Sequence, residues 1–104
     1  MKTIILKSYF VGGGSKRGMI FNQINSSARA YLYEINDNGA IHYETFKRRK
    51  TALCVNFEKR EYSKTEFKDV YPKDRDFGVW AWCYNDNKKA VIKFNELCKE
   101  VSNG

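Results

Sequence analysis

The strongest constraint on the fold comes from residues 30–47, where two strand-like stretches are joined by a short polar link. "AYLYEI" and "AIHYETFK" are both rich in aromatic and β-branched side chains, and "NDNG" separates them. Asn-Gly between two such stretches is a strong signal for a tight turn. The sequence therefore predicts a β-hairpin.

The register of this hairpin depends on how many residues form the turn. A two-residue Asn-Gly turn would place Ile35 opposite His42. A three-residue Asp-Asn-Gly loop would place Ile35 opposite Ile41, and Tyr33 opposite Tyr43. The second register matches apolar and aromatic partners across the strands, which is what a buried sheet face needs. We therefore predict the three-residue loop, with its glycine in the left-handed region.

Other stretches of the chain also read as strands or loops. Residues 3–11 predict a first strand and residues 12–18 a glycine-rich loop, while residues 19–27 fit either a short strand or a helical turn. A third strand over residues 53–57 is expected to follow the hairpin and to pair with it. The mixed-charge stretch 58–76 is expected to be a strand end followed by a loop.

The C-terminal part of the chain predicts one more strand and then a helix. In "FGVWAWCY", Trp80, Trp82 and Tyr84 alternate onto one face of a strand. Beyond it, apolar residues recur at spacings of three and four, which indicates one helical stripe, and Asn85 or Asp86 can cap its start. The stripe comprises Ala90, Phe94, Leu97, Cys98 and Val101.

Together these elements predict an α+β fold, an antiparallel β-meander of four to five strands with one C-terminal α-helix packed on the sheet. A length of 104 residues fits a single compact domain spanning residues 1–104, and 42% hydrophobic residues are too many for a disordered chain. The first apolar run ends at Lys7 and is too short for a signal peptide, and no stretch is long enough to span a membrane. The three cysteines form no C-x-x-C pair, so a reduced, cytoplasmic location is expected.

The net charge of +7 is unevenly distributed along the chain. Residues 1–52 contain nine Lys or Arg against three Asp or Glu, whereas residues 53–104 contain ten against nine. Such an asymmetry favours a polyanionic partner over a uniformly solubilising surface.

The chain offers few residues for catalysis or metal binding. His42 is the only histidine, and Cys54 is the cysteine expected to lie nearest to it, because the other two are assigned to the core. In the predicted register Glu34 faces His42 and Glu44 lies beside it, so the three could converge on a metal, although a surface Glu-His pair is the simpler interpretation. No enzymatic activity, metal or cofactor is therefore predicted.

Two basic segments could contact an anion. "VGGGSKRG" has glycines after a strand but lacks the spacing of a phosphate-binding P-loop, so it is either a flexible connection or a loop that touches phosphate through Lys16 and Arg17. Farther on, the cations Lys47, Arg48, Arg49 and Lys50 follow one another at the end of the hairpin.

In the predicted register Arg29 faces Lys47, which adds a further like charge to the hairpin end. Because these cations repel one another, their clustering favours an anionic partner that would offset the repulsion. The alternative is a charged strand end that prevents edge pairing.

The predicted register also makes Tyr31, Tyr33 and Tyr43 a ladder on one face, which could stack on unpaired bases or pack in the core. The favoured hypothesis is a small non-enzymatic domain that binds nucleic acid, preferably single-stranded, through this ladder and the basic residues named above. The alternative is a protein–protein interaction or inhibitor module of a bacterial or phage mobile genetic element, docking on an acidic protein. Neither hypothesis involves a membrane.

Overall fold

The computed structural model describes residues 2–99. The chain divides into two compact units: residues up to Leu6 with Arg48–Tyr71 form the first, and Lys7–Lys47 with the residues from Pro72 onward form the second. The single domain over residues 1–104 stays a prediction. Within residues 2–99, no helix has the length and apolar character needed to cross a membrane.

Eight strands and one α-helix make up the regular structure of the described residues. In chain order these are β1 (Lys2–Ile4), β2 (Tyr9–Val11), β3 (Met19–Ser26), β4 (Ala30–Asp37), β5 (Ala40–Lys47), β6 (Lys50–Asn56), β7 (Glu61–Asp69), β8 (Ala81–Tyr84) and α1 (Asn87–Lys99). The second unit holds a five-stranded antiparallel sheet in the order β2-β3-β4-β5-β8, with α1 packed on it. The prediction of an α+β fold with one C-terminal helix is confirmed.

The hairpin β4–β5 is present, but its predicted register is wrong by one residue. Ile35 pairs with His42, not with Ile41, and the turn consists of two residues. Both of them, Asn38 and Gly39, have positive φ angles, of 53° and 96°. This is the signature of a type I′ turn, whose twist matches that of the strands on either side. The turn geometry outweighs the better side-chain pairing that favoured the longer loop.

This register separates the three tyrosines of the predicted ladder. Tyr33 pairs with Glu44, whereas Tyr43 pairs with Glu34 and, on its other side, with Tyr84. Because directly paired residues of an antiparallel sheet share a face, Tyr43 lies on the opposite face from Tyr33.

The Tyr33 face of the sheet is an aromatic core. Tyr33 and Phe46 stack with ring centroids 5.8 Å apart, and Phe10 stacks on Phe21 at 4.6 Å. The Tyr33 hydroxyl donates a hydrogen bond to the Lys7 carbonyl oxygen at 2.6 Å, so the polar end of this buried ring is satisfied. Aromatic side chains thus supply most of the buried area on this face.

The opposite face carries the helix. Ala90, Phe94 and Leu97 of α1 form a buried cluster with Ala30 and Leu32. These three residues confirm the predicted stripe, of which Val101 lies outside the described residues. The predicted cap is also confirmed, since Asp86 Oδ1 accepts a hydrogen bond from the Lys88 backbone N–H at 2.8 Å.

The tryptophans do not share a face as predicted. β8 begins only at Ala81, and Trp80 lies before it, with its ring against Phe46 on the aromatic face. Trp82 packs against the helix cluster instead. The turn that precedes Ala81 breaks the strand alternation on which the prediction relied.

The first unit is a three-stranded sheet in the order β1-β7-β6, with β1 parallel to β7. Three predictions are corrected here. Residues 3–11 form two strands in different sheets, the strand over residues 53–57 pairs with β7 rather than with β5, and the expected loop 58–76 contains β7. Strand pairing is a non-local property, and the many charged residues of β7 hide its alternation.

Candidate nucleic-acid interface

The four consecutive cations do not form a projecting strand end. Lys47 is the last residue of β5 and Lys50 the first of β6, so the segment connects two strands. Lys47 pairs with Ala30, and Arg29 is an exposed residue of the preceding bend, so the predicted Arg29–Lys47 pair is absent.

Two of these cations contact residues of their own unit. Arg48 Nη2 lies 2.7 Å from Asp69 Oδ2, and the Asp69 side chain is only 3% exposed. The Lys50 ammonium lies 5.5 Å from the centre of the Phe67 ring, within cation–π range. Arg49 and Lys50 are nonetheless exposed, so a ligand can reach both of them.

The glycine-rich loop is an ordered turn. A single 3₁₀ turn spans Gly14–Lys16, and the Gly12 N–H donates to the Met19 carbonyl oxygen at 2.8 Å, which closes the loop between β2 and β3. A Cβ on Gly12 would collide with the Lys16 carbonyl oxygen, so this position requires glycine. Arg17 is exposed.

Lys16 is held within the second unit. Its ammonium lies 3.7 Å from Asp74 Oδ1 and 5.9 Å from the centre of the Phe77 ring. The predicted phosphate contact by Lys16 would have to compete with these two neighbours.

The tyrosines predicted to stack on bases are not exposed. Tyr31 and Tyr33 are buried at 2% and 0% exposure in the aromatic core. Tyr43 is partly buried and packs against the helix cluster. A stacking surface must therefore be sought among other aromatic residues.

Exposed aromatic rings lie instead at the end of the β6–β7 hairpin. Phe57 is 88% exposed and Tyr62 is 57% exposed. Lys59 and Arg60 lie between them in the chain, with Glu58 and Glu61 on either side. We call residues 54–62 the hairpin tip. Sequence reasoning missed it because residues 53–57 were assigned to a strand pairing with the β4–β5 hairpin, and residues 58–76 to a strand end followed by a loop, although the mixture of aromatic and basic residues can be read from the sequence.

The hairpin tip is a two-stranded ribbon. β1 pairs with residues 66–68 of β7, and the β6–β7 register shifts between Ala52 and Cys54. The hairpin tip therefore lies past the end of the β1–β7 pairing and past this register shift. At this shift β7 has four residues, 63–66, opposite the single residue of β6 between Ala52 and Cys54. Among them, Ser63 Oγ accepts hydrogen bonds from the backbone N–H groups of Thr65 and Glu66. A hairpin without a third strand has little stability of its own. Most side chains at this end are exposed to solvent and contribute little to a packed core.

Arg60 adopts a backbone conformation that arginine disfavours. Its φ angle is 52°, and its N–H donates to the Phe57 carbonyl oxygen at 3.2 Å across the turn. Glycine would occupy this left-handed position at less cost. An exposed cation therefore stands where the backbone alone favours glycine.

The first unit is rich in cations and poor in buried apolar residues. Its residues include eight Lys or Arg against four Asp or Glu, a net +4, leaving +3 for the larger second unit. None of its described apolar side chains is fully buried. Among the side chains of this unit whose burial the structure describes, the exposed cations are Arg49, Lys50, Lys59, Arg60, Lys64 and Lys68.

A second cluster of chemically interesting residues lies on the aromatic face of the five-stranded sheet. His42 Nε2 is 3.3 Å from Glu44 Oε2, and one ligand atom each from His42, Glu44 and Cys83 lie within 4.8 Å of one another. The cysteine that meets His42 is thus Cys83, which had been assigned to the core, rather than Cys54. Glu34, the other carboxylate predicted near His42, pairs with Tyr43 on the opposite face.

The thiol in this cluster is poorly suited to act as a nucleophile by itself. Burial raises the pKa of Cys83, and the neighbouring Glu44 carboxylate raises it further, while Lys16 acts in the opposite direction. A nucleophilic cysteine needs a lowered pKa, because the thiolate is the reactive form.

Comparisons with known proteins do not narrow the choice of function. No protein-family model matches the chain, and neither the curated proteins nor the solved structures contain a match to it.

Proposed function

We propose that the protein binds nucleic acid, with single strands preferred, through the exposed cations and aromatic rings of its first unit. The observation that carries the proposal is the hairpin tip, where Phe57 and Tyr62 are exposed beside Lys59 and Arg60. Exposed rings next to cations are the combination that binds unpaired bases and their phosphates together.

The rings and the cations have separate tasks in this proposal. Phe57 and Tyr62 stack on bases, which is sequence-tolerant because every base has a π-face. Arg49, Lys50 and Lys64, all exposed on the same unit, contact phosphates and release counterions. The buried Tyr31 and Tyr33 of the original hypothesis stabilise the fold and take no part in binding.

The acidic residues of the tip limit the affinity. Glu58 and Glu61 cancel the charge of Lys59 and Arg60 locally, so the tip by itself is neutral and the net positive charge comes from the rest of the unit. Binding is thus expected to depend on stacking at the tip and on cations beyond it. Glu61→Gln should strengthen the binding of any polyanion.

Fluorescence anisotropy with labelled single-stranded DNA, single-stranded RNA and duplex, each at low and near-physiological salt, tests the proposal. Loss of one base stack in Phe57→Ala should weaken single-strand binding by about 1–3 kcal/mol, and loss of a phosphate contact in Arg49→Ala should reduce the salt slope by about one. Ile92→Ala and Lys88→Ala, which remove an exposed apolar side chain and an exposed cation from α1, are the matched controls.

Two results would overturn the proposal. One is an affinity that does not change with salt, since phosphate contacts must release counterions. The other is weak binding that heparin abolishes equally for every nucleic acid and that Phe57→Ala leaves unchanged. In that case the cations act only as a generally charged surface.

A protein partner is the second candidate, and one observation favours it. β6 is an edge strand of the first sheet, and its Val55 and the following Phe57 are exposed. An exposed edge with apolar side chains can accept a strand from a partner. An acidic protein, as expected for an interaction or inhibitor module, would then be retained by the wild-type chain and released by Val55→Ser. This substitution removes the exposed apolar side chain without changing the charge of the hairpin tip, so the salt dependence of nucleic-acid binding should stay the same.

A further inference from the structure

The geometry points to a divalent metal site, best suited to Zn²⁺, formed by His42, Glu44 and Cys83. It is independent of the proposed nucleic-acid interface, because all three residues belong to the second unit. The site offers one nitrogen, one oxygen and one sulfur ligand, and it leaves a fourth position for water or another ligand.

The sheet itself brings the three side chains together. His42 and Glu44 are two positions apart on β5 and therefore project from the same face. Glu44 pairs directly with Cys83 on β8, which adds the third side chain from the neighbouring strand. Ligands on two paired strands of a sheet are held more firmly than ligands on loops.

The distances fit a tetrahedral ion. Bonds of about 2.0–2.3 Å at tetrahedral angles place neighbouring ligand atoms about 3.3–3.7 Å apart. His42 Nε2 and Glu44 Oε2 are already 3.3 Å apart, and the Cys83 sulfur lies within 4.8 Å of one ligand atom of each residue. A rotation of the Cys83 side chain would supply the remaining approach.

The type of ligand selects the metal. A thiolate with an imidazole suits zinc and its softer neighbours and disfavours magnesium or calcium, which require oxygen ligands. The Glu44 side chain is 7% exposed and that of His42 is 21% exposed. The Glu44 side of the site is therefore shielded from water, which strengthens the attraction between a cation and the carboxylate, whereas the exposed Cys83 leaves the site open to an ion from solution.

Lys16 is the residue expected to oppose metal binding. Its ammonium influences Cys83 electrostatically, and it also lies 3.7 Å from Asp74 Oδ1. A metal ion and this ammonium would repel each other. Lys16→Met should therefore raise the metal affinity several-fold, whereas a site formed elsewhere would not respond to this substitution.

Titration of the full chain with Co²⁺, followed by competition with Zn²⁺, tests the site. We expect one ion per chain, a thiolate-to-cobalt charge-transfer band in the near ultraviolet and the visible bands of a tetrahedral ion. The Cys54→Ser/Cys98→Ser variant, which keeps Cys83 as its only cysteine, should retain the charge-transfer band. Cys83→Ser should lose the band, and His42→Gln should bind more than about 100-fold more weakly, a larger loss than removal of an outer-shell partner causes.

Far-ultraviolet circular dichroism of each variant distinguishes loss of the ligand from loss of the fold. The inference is overturned if excess Co²⁺ gives the folded wild-type chain no charge-transfer band. It is also overturned if Cys83→Ser keeps the band, or if binding saturates at one ion per two chains, which would place the site between copies.

Discussion

Arg48 and Asp69 form an ion pair in which Nη2 and Oδ2 are 2.7 Å apart, and it joins the start of the first unit's hairpin to its end. Asp69 is almost fully buried, so its charge depends on a partner inside the protein. The segment "KRRK" thus contains one cation that maintains the fold, Arg48, and two that are exposed, Arg49 and Lys50. Replacing all four by alanine would confound loss of binding with loss of structure.

Arg48→Ala should lower the free energy of unfolding by about 2–3 kcal/mol, because it leaves the buried Asp69 carboxylate without this partner. Lys64→Ala, at an exposed position of the same sheet, should change it by no more than about 0.5 kcal/mol. Urea denaturation of both variants makes the comparison. If Arg48→Met/Asp69→Leu recovers most of the loss, the buried charge rather than the lost packing is responsible.

Tyr33→Phe should separate structural tyrosines from base-stacking rings. It keeps the ring but removes the hydroxyl that donates to the Lys7 carbonyl oxygen and accepts from Gln23 Nε2, and we expect a loss of about 1–2 kcal/mol in stability. Nucleic-acid affinity should stay the same. Tyr62→Phe, at an exposed position, should leave both quantities unchanged. A weaker affinity for folded Tyr33→Phe would contradict the assignment of this residue to the core.

The turn before β8 should respond to acid through Asp76. The Lys73 backbone N–H donates to Asp76 Oδ2 at 2.8 Å and, with a hydrogen bond from the Trp80 side chain, lowers the pKa of the carboxyl below its usual 3.8. A lowered pKa means that the ionised form stabilises the fold. This contribution is complete above about pH 5, where the unfolded chain is also ionised, and is lost as the pH falls through the folded-state pKa. Tryptophan fluorescence should report the transition in the wild type, and Asp76→Asn should lack it.

Gly39→Ala tests the two-residue turn of the β4–β5 hairpin. Gly39 has a φ angle of 96°, so a side chain there should cost about 1–2 kcal/mol even though no atom lies in its way. Gly13→Ala is the matched control, since this glycine is equally uncrowded but has a φ angle of −121°. Cross-strand nuclear Overhauser contacts in the wild type should connect Ile35 with His42. Contacts between Ile35 and Ile41 instead would support the three-residue loop and contradict the two-residue turn.

The parts of the fold that depend on neighbouring residues were predictable from the sequence. The helix followed from the spacing of Ala90, Phe94 and Leu97, and the hairpin followed from Asn38-Gly39. The register was missed because matched side-chain pairs were given more weight than the twist of the turn.

The parts that depend on distant pairing could not be predicted in this way. Nothing near Arg48 in the sequence indicates that Asp69 will be its partner. The H-x-E spacing of His42 and Glu44 was readable as one strand face, but Cys83 joins them only because β8 pairs with β5. The same limit hid the role of the hairpin tip: its aromatic and basic residues can be read from the sequence, but only the pairing of β7 with β6 brings them together at one end of a hairpin.

The parallel pairing of β1 with β7 also has a consequence for the time course of folding. Lys2 pairs with Glu66, so the partners are 64 positions apart in the chain, and the whole of β2–β5 lies between them. Closing so long a loop carries a large entropic penalty, whereas the β4–β5 hairpin closes over two residues. During synthesis β1 emerges before the other strands, yet it cannot pair until β7 has been made. We therefore expect its docking to be the slowest step and the five-stranded sheet to begin assembling without it.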